Sequence, residues 1–222
     1  MVPKAVGSVQ YSVLGAKALQ SRQESVKKDM RKQSRGPGAV RIIAGNWRGS
    51  KLPIADLPGL RPTGDRCRET LFNWLQPLIR GAVCVDLFAG SGALGMEAAS
   101  RGARRVVLVE KNAQAARVLQ ENADRLNGSQ VEVIVGDALS WLKEQPPQSV
   151  DVVFIDPPFG LLLESSALEL LQFGEVVKRG GFVYVETARS EAGQLPGPGW
   201  ELAREKIIGE VRMQLLRNIQ KV

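Results

Sequence analysis

From Val83 onward the chain alternates strand-like and helix-like segments without a break, and no other feature limits its possible folds as severely. Val83–Phe88 is an apolar run of strand length, Ala93–Ser100 is helical, Arg105–Val109 is a second strand and Ala113–Leu126 a second helix. Val131–Val135, Ala138–Lys143 and Val150–Ile155 repeat the pattern, and Glu164–Phe173 and Gly181–Glu186 continue it. Strands joined through helices run parallel, so the alternation predicts a doubly wound α/β sheet. The last stretch departs from this rule. Trp200–Ile208 and Val211–Ile219 flank only Gly209-Glu210, and two strands across so short a turn must be antiparallel. The expected fold is a mostly parallel seven-stranded sheet that closes with an antiparallel hairpin.

Upstream of Val83 the chain reads differently. Residues 1–38 carry eight basic residues against Glu24 and Asp29, and end in Ser34-Arg35-Gly36-Pro37-Gly38. This composition predicts a basic, largely disordered extension. Residues 39–80 add seven basic residues against three acidic ones. Within them, Val40–Gly45 and Ser50–Leu52 around Asn46-Trp47-Arg48-Gly49 predict a short β-hairpin. Apolar residues at helical spacing predict a helix over Arg66–Leu78. Residues 81–222 form the remaining, catalytic-type domain. The net charge of +7 is therefore concentrated in the N-terminal third, the one-sided footprint expected for a nucleic-acid partner. No apolar run approaches the ~18 residues needed to cross a bilayer, which predicts a soluble, cytoplasmic protein with no membrane partner. Two cysteines in unlike contexts and no histidine exclude the usual His/Cys zinc sites, so no metal is expected.

The first strand ends Val85-Asp86-Leu87-Phe88 and enters Ala89-Gly90-Ser91-Gly92-Ala93-Leu94-Gly95. The spacing Gly90-x-Gly92-x-x-Gly95, followed by Glu110 at the next strand end, admits a dinucleotide. Asp86 argues otherwise, because a carboxylate beside the loop repels a pyrophosphate and suits the sulfonium and ammonium groups of S-adenosylmethionine. Asp137, after the third strand, stands where an adenine amino group could be read. Any one of these acids could instead be a helix cap or a solvated loop acid. Three at successive strand ends, with the glycine loop, make that plainer reading hard to sustain. The expected cofactor cradle is Asp86, Phe88, Ala89, Gly90, Ser91, Gly92, Glu110, Asp137 and Ala138. It would hold S-adenosylmethionine and release S-adenosylhomocysteine.

Val150–Ile155 runs into Asp156-Pro157-Pro158-Phe159. Two prolines lock φ in succession and give a stiff turn. In such a turn Asp156 and the Pro157 carbonyl can each accept a hydrogen bond from a planar amine, and Phe159 can lie under its ring. The plainer alternative is a Pro-Pro turn with a core phenylalanine. A doubly wound sheet binds ligands at the carboxyl ends of the first and fourth strands, which sets the tetrapeptide beside the cofactor loop. Asp156, Pro157, Pro158 and Phe159 are the candidate catalytic residues. Neither Cys67 nor Cys84 lies after the fourth strand, where a base-carbon methyltransferase would need a nucleophile.

A parallel sheet with a C-terminal antiparallel hairpin resembles the Rossmann-like class I methyltransferases, and the tetrapeptide with the Asp86–Gly92 loop resembles the amino-methyltransferases among them. A longer match is more specific. Arg41–Gly49, Leu52-Pro53, Gly59–Leu75, Asp86–Gly95, Asp156–Phe159, Tyr184-Val185-Glu186 and Arg204-Glu205-Lys206 resemble the bacterial RsmD family. Its members are described as 16S ribosomal RNA methyltransferases acting on a guanine 2-amino group. The resemblance covers about 40–219. It departs at Gly64, where a second Thr would be expected, and at 1–38, which is longer than the family needs. It implies that Arg41, Trp47, Arg48, Arg61, Thr63 and Arg66 face the RNA. It further implies that the partner is 16S ribosomal RNA, within the 30S subunit or an assembly intermediate, and that the enzyme is a monomer.

Three rivals stay open at this point. A protein glutamine amide fits a related Asn-Pro-Pro-Tyr motif, although Asp156 and the basic hairpin disfavour it. A DNA adenine methyltransferase shares Asp-Pro-Pro-Phe, yet the sequence has no separate DNA-reading domain. An NAD-dependent oxidoreductase would share the glycine loop.

Overall fold

The computed structural model describes residues 38–57, 63–158, 163–190, 197 and 199–220. The expectations for residues 1–37, for Arg61 and for Phe159 lie outside the described residues. Two short strands come first, β1 (Ala39–Arg41) and β2 (Lys51–Pro53), then helix α1 (Asp65–Ile79). Next follow β3 (Val83–Asp86), α2 (Ala93–Ser100), β4 (Arg105–Glu110), α3 (Ala113–Arg125), β5 (Val131–Val135) and α4 (Ala138–Leu142). The chain continues through β6 (Val150–Ile155), α5 (Leu163–Phe173), β7 (Val177–Ala188), β8 (Trp200–Ile208) and β9 (Val211–Asn218). Among the described residues no helix is long and apolar enough to cross a membrane.

Strands β3 to β9 form one seven-stranded sheet in the order β5-β4-β3-β6-β7-β9-β8. β3 to β7 pair in parallel, and β9 is antiparallel to both β7 and β8. The expected fold is the observed one, and its causes are local. All four residues of β3 are buried, as a central strand covered on both faces requires. β8 is the edge and is largely exposed, with Glu201, Arg204, Glu205 and Lys206 blunting it against further pairing. Gly209 turns with φ +59°, which lets Ile208 pair directly with Val211.

The period-2 alternation of the strands divides the core between the two faces of the sheet. Cys84, Phe154 and Tyr184 lie with the hairpin, α1 and α2, while Val85, Val153 and Val185 lie with α4 and α5. Phe72 of α1 meets Phe154 of β6 with ring centroids 6.0 Å apart, so the hairpin and α1 share a core with the sheet. The chain leaves β3 toward β4 on one side and returns to β6 on the other. That reversal opens a crevice at the carboxyl ends of β3 and β6.

Two expectations need correction. The first hairpin strand stops at Arg41 and not at Gly45, and the long turn 42–50 separates it from the second. Ile42 still exchanges backbone bonds with Gly49 and Ser50, but the amides of Ile43, Ala44 and Trp47 donate to Glu97 and Ser100 of α2, so beyond Ile42 the backbone bonds to a helix. β7 starts four residues earlier than Gly181, at Val177. Gly180 at φ +75° carries the strand through an irregularity in its pairing with β6, which a sequence reader takes for a turn.

Candidate active site

Five parallel strands end side by side, and each end carries a carboxylate. In sheet order these are Asp137 after β5, Glu110 closing β4, Asp86 closing β3, Asp156 after β6, and Glu186 on β7. Sequence reasoning singled out the first four. It missed Glu186, although an acid ending the apolar run Gly181–Glu186 is the same signal that pointed to Glu110.

Asp86 is buried, and its Oδ2 accepts the Gly95 amide at 3.0 Å, in the first turn of α2. Burial pushes its pKa up to about 7, against the pull of the Gly95 and Phe88 amides, and the charges of Asp156 and Glu110 push the same way. The loop it supports needs its glycines. Gly90 and Gly92 have φ +49° and +73°, and a Cβ at Gly92 would lie 2.5 Å from Leu119 Cδ2. Gly95 lets α2 close on the sheet, since a Cβ there would come within 2.1 Å of Leu108 Cδ2. Ser91 and Ala89 are buried in the turn, and Phe88 is half-buried against the second core. Glu110 binds both sides of this crevice, accepting the Gly90 amide at 2.8 Å and the Asn112 amide at 2.7 Å.

Asp137 is a helix cap in this structure. Its Oδ1 accepts the Ser140 amide at 3.0 Å and the Ser140 hydroxyl at 3.2 Å, and Lys111 stands 3.6 Å from its other oxygen. The Ser140 amide is the main reason its pKa is lowered. It is also well exposed, and Ala138 behind it is buried. The cap uses one oxygen and leaves the carboxylate able to accept further bonds.

Asp156 and Pro157 follow β6 directly, with Pro157 buried and Pro158 exposed. Thr63, expected on the RNA side, turns its hydroxyl into the site and donates to Asp156 Oδ2 at 2.7 Å. Asp156 is half-buried as a residue, yet burial of its carboxyl is the leading cause of its raised pKa. Beside it, Glu186 is 5% exposed and accepts the Tyr184 hydroxyl at 2.7 Å on Oε2. Burial first and the Asp156 charge second push Glu186 up to about 8. The same surroundings hold Tyr184 well above its ordinary value. Cys67 of α1 faces this cluster and is also raised, by burial and then by Glu186 and Asp156, so it stays a thiol. Among the described residues, no lysine or arginine forms an ion pair with Asp86, Asp156 or Glu186. Three buried acids without a cation make a site suited to a positively charged or donor-rich ligand.

The basic entry segment is tied to the site through α2. Glu97 is fully buried and accepts from Ile43 N at 2.8 Å, Ala44 N at 3.0 Å and Arg101 Nε at 2.8 Å, with Arg68 Nη1 at 3.4 Å. Arg68 in turn donates to the Arg41 carbonyl at 2.9 Å. Gly45 packs where a Cβ would lie 2.0 Å from the Ser100 carbonyl oxygen. Arg41, Arg48 and Arg66 are left exposed, while Trp47 is half-buried with its ring against Gly128. Glu97, Ser100 and Arg68 carried no sequence signal of this role.

The family described as conserved hypothetical protein 95 matches residues 40–217. A "Ribosomal RNA small subunit methyltransferase D" from Haemophilus influenzae is 46% identical over 184 residues, covering 82% of this chain and 95% of the relative. The protein of that name from Escherichia coli is 42% identical over 180 residues, covering 81% and 90%. Among solved structures, yhhF from Escherichia coli superposes with a TM-score of 0.76 at 39% identity, covering 82% of this chain and 99% of that one.

Proposed function

The chain belongs to the conserved hypothetical protein 95 family, the RsmD methyltransferases, and from that membership we propose that it methylates the exocyclic 2-amino group of a guanine in 16S ribosomal RNA. At the level of class it is an S-adenosylmethionine-dependent methyltransferase of small-subunit ribosomal RNA. The observation that carries the finer reading is Asp156, a buried carboxyl oriented by Thr63 at the switch point of the sheet and paired with no cation among the described residues.

The residues fit the cofactor. The glycines of the loop Ala89–Gly92 let backbone approach the crevice, and Asp86 beside it forms no ion pair among the described residues. Asp86 would hold the cationic end, Glu110 the ribose hydroxyls and Asp137 the adenine amino group, with Phe88, Ser91 and Ala138 enclosing them. S-adenosylmethionine, when bound, supplies an activated methyl group.

The remaining chemistry belongs to the chain. An exocyclic amine is a poor nucleophile because its lone pair is delocalised into the ring. Hydrogen bonds from its two N–H groups to Asp156 and to the Pro157 carbonyl favour a pyramidal nitrogen with the lone pair free. Phe159 would stack on the base, worth roughly 1–3 kcal/mol. Positioning of this kind supplies most of the acceleration. Once the nitrogen carries the methyl group its N–H is acidic, and Asp156 removes that proton without needing a further rise in pKa. The exposed Arg41, Arg48 and Arg66, with Arg61, would meet phosphates around a base that has left its stack.

Labelled cofactor incubated with ribosomal RNA, 30S particles and naked DNA from a strain lacking the enzyme tests the reading. Label is expected in 16S RNA or the particle, and nucleoside analysis of the digested product should show N2-methylguanosine. Label confined to DNA, or on protein, would replace guanine by one of the rival amines.

A further inference from the structure

Asp156 has a role in the reaction above, and the acid beside it has none. β6 and β7 run parallel with Ile155 opposite Val185, so the next residues, Asp156 and Glu186, continue side by side. Phe154 and Tyr184, two residues earlier on each strand, share one face of the sheet, and Tyr184 donates to Glu186 on that face. Oε2 of Glu186 takes the Tyr184 hydroxyl, and that is its one hydrogen bond among the described residues. A carboxyl this deep with one donor is costly to the fold. The chain satisfies Glu97, equally buried, with four donors, so a shortage of donors at Glu186 is a property of this site and not of buried glutamates in this protein.

Sheet order says where the missing donor comes from. Asp156 stands between β3, which carries the cofactor loop, and β7, which carries Glu186. A base whose amine is held at Asp156 near the loop must extend the rest of its hydrogen-bonding edge toward β7. In guanine the carbon that carries the 2-amino group lies between N3, which is bare, and N1, which bears a hydrogen and lies on the base-pairing edge. Resting on the guanine reading given above, we propose that Glu186 accepts the N1–H of the target base and so selects guanine over bases whose ring nitrogen is bare. Asp156 and Glu186 then face two adjacent donors, which draws both toward the ionised form that burial opposes. Cys67, from α1, and Tyr184 are the other titratable groups around Glu186, and both remain protonated.

The test replaces the mapped guanine of the RNA substrate by 2-aminopurine, which keeps the 2-amino group and leaves N1 bare. Wild-type enzyme is expected to lose about a hundredfold or more in kcat/KM on this substitution, because a buried acceptor is left unpaired. Glu186→Gln, whose amide can donate to a bare N1, is expected to narrow that ratio at least about tenfold with cofactor affinity unchanged. A guanine-active wild-type enzyme that discriminates less than about threefold overturns the proposal, and this readout needs no variant to fold. An identical ratio in wild type and a folded Glu186→Gln overturns it as well. If wild type fails to methylate the guanine substrate at all, the guanine reading falls, and the role of Glu186 falls with it.

Discussion

Glu97 and the Asp156–Glu186 pair are buried acids on the same side of the sheet, and they are furnished in opposite ways. Glu97 is met by two backbone amides, Arg68 and Arg101, all from the protein itself. Asp156 receives one hydroxyl, from Thr63, and Glu186 another, from Tyr184. A carboxylate whose donors come from the chain fastens segments together, here the entry turn 42–50 to α2. A carboxylate left short of donors can still accept from a ligand, which is the basis of the roles proposed for Asp156 and Glu186, and burial raises the pKa of both.

Removing one acid from each region should separate the two roles. Asp156→Ala is expected to lower turnover by about a thousandfold or more while cofactor affinity stays within a few-fold and the melting temperature does not fall. Single-turnover assays with calorimetric cofactor titration measure both, and near-normal turnover would break the comparison. Glu97→Ala should do the reverse. Withdrawing the buried acceptor shared by the Ile43 and Ala44 amides, Arg101 and Arg68, while Arg68 keeps Asp65 and the Arg41 carbonyl, is expected to cost about 3–5 kcal/mol of unfolding free energy, read by denaturant titration. A loss below about 1 kcal/mol would mean that the saturated acid is no fastener.

The smallest effect is in pH. Asp86 and Glu186 titrate near 7 and 8 in the folded, unliganded protein, both above ordinary carboxyls. For groups raised on folding, the associated stability is present below the unfolded pKa and is lost as pH rises through the folded value. The unliganded protein should therefore lose stability between about pH 5 and 8. A cation bound at Asp86 favours its ionised form, so the thermal shift produced by S-adenosylmethionine should grow from pH 6 to 8. Asp86→Asn should abolish that growth, and a shift independent of pH in the wild type would contradict the assignment.

Much of the site was legible in the chain. Val83–Asp86 running into Gly90-x-Gly92, and Val150–Ile155 running into Asp156-Pro157-Pro158, announce themselves because apolar runs, glycines and prolines restrict the backbone where they stand. Thr63 was noticed but placed toward the RNA, since nothing near it in sequence reveals a partner 93 residues away. Trp47 was read as an RNA contact, and nothing near it in sequence signals that part of its ring packs against Gly128, far downstream. The first hairpin strand was overextended because the acceptors of its turn, Glu97 and Ser100, lie more than 50 residues downstream.

By itself the sequence determined the order of strands and helices, the closing hairpin, the glycine loop and the Pro-Pro turn, all set by short-range periodicity and backbone restriction. Tertiary structure decided which acids are saturated by the chain's own donors and which are left short of them. That distinction depends on how many donors converge on a buried carboxylate, and those donors are assembled from remote segments by strand register and helix docking.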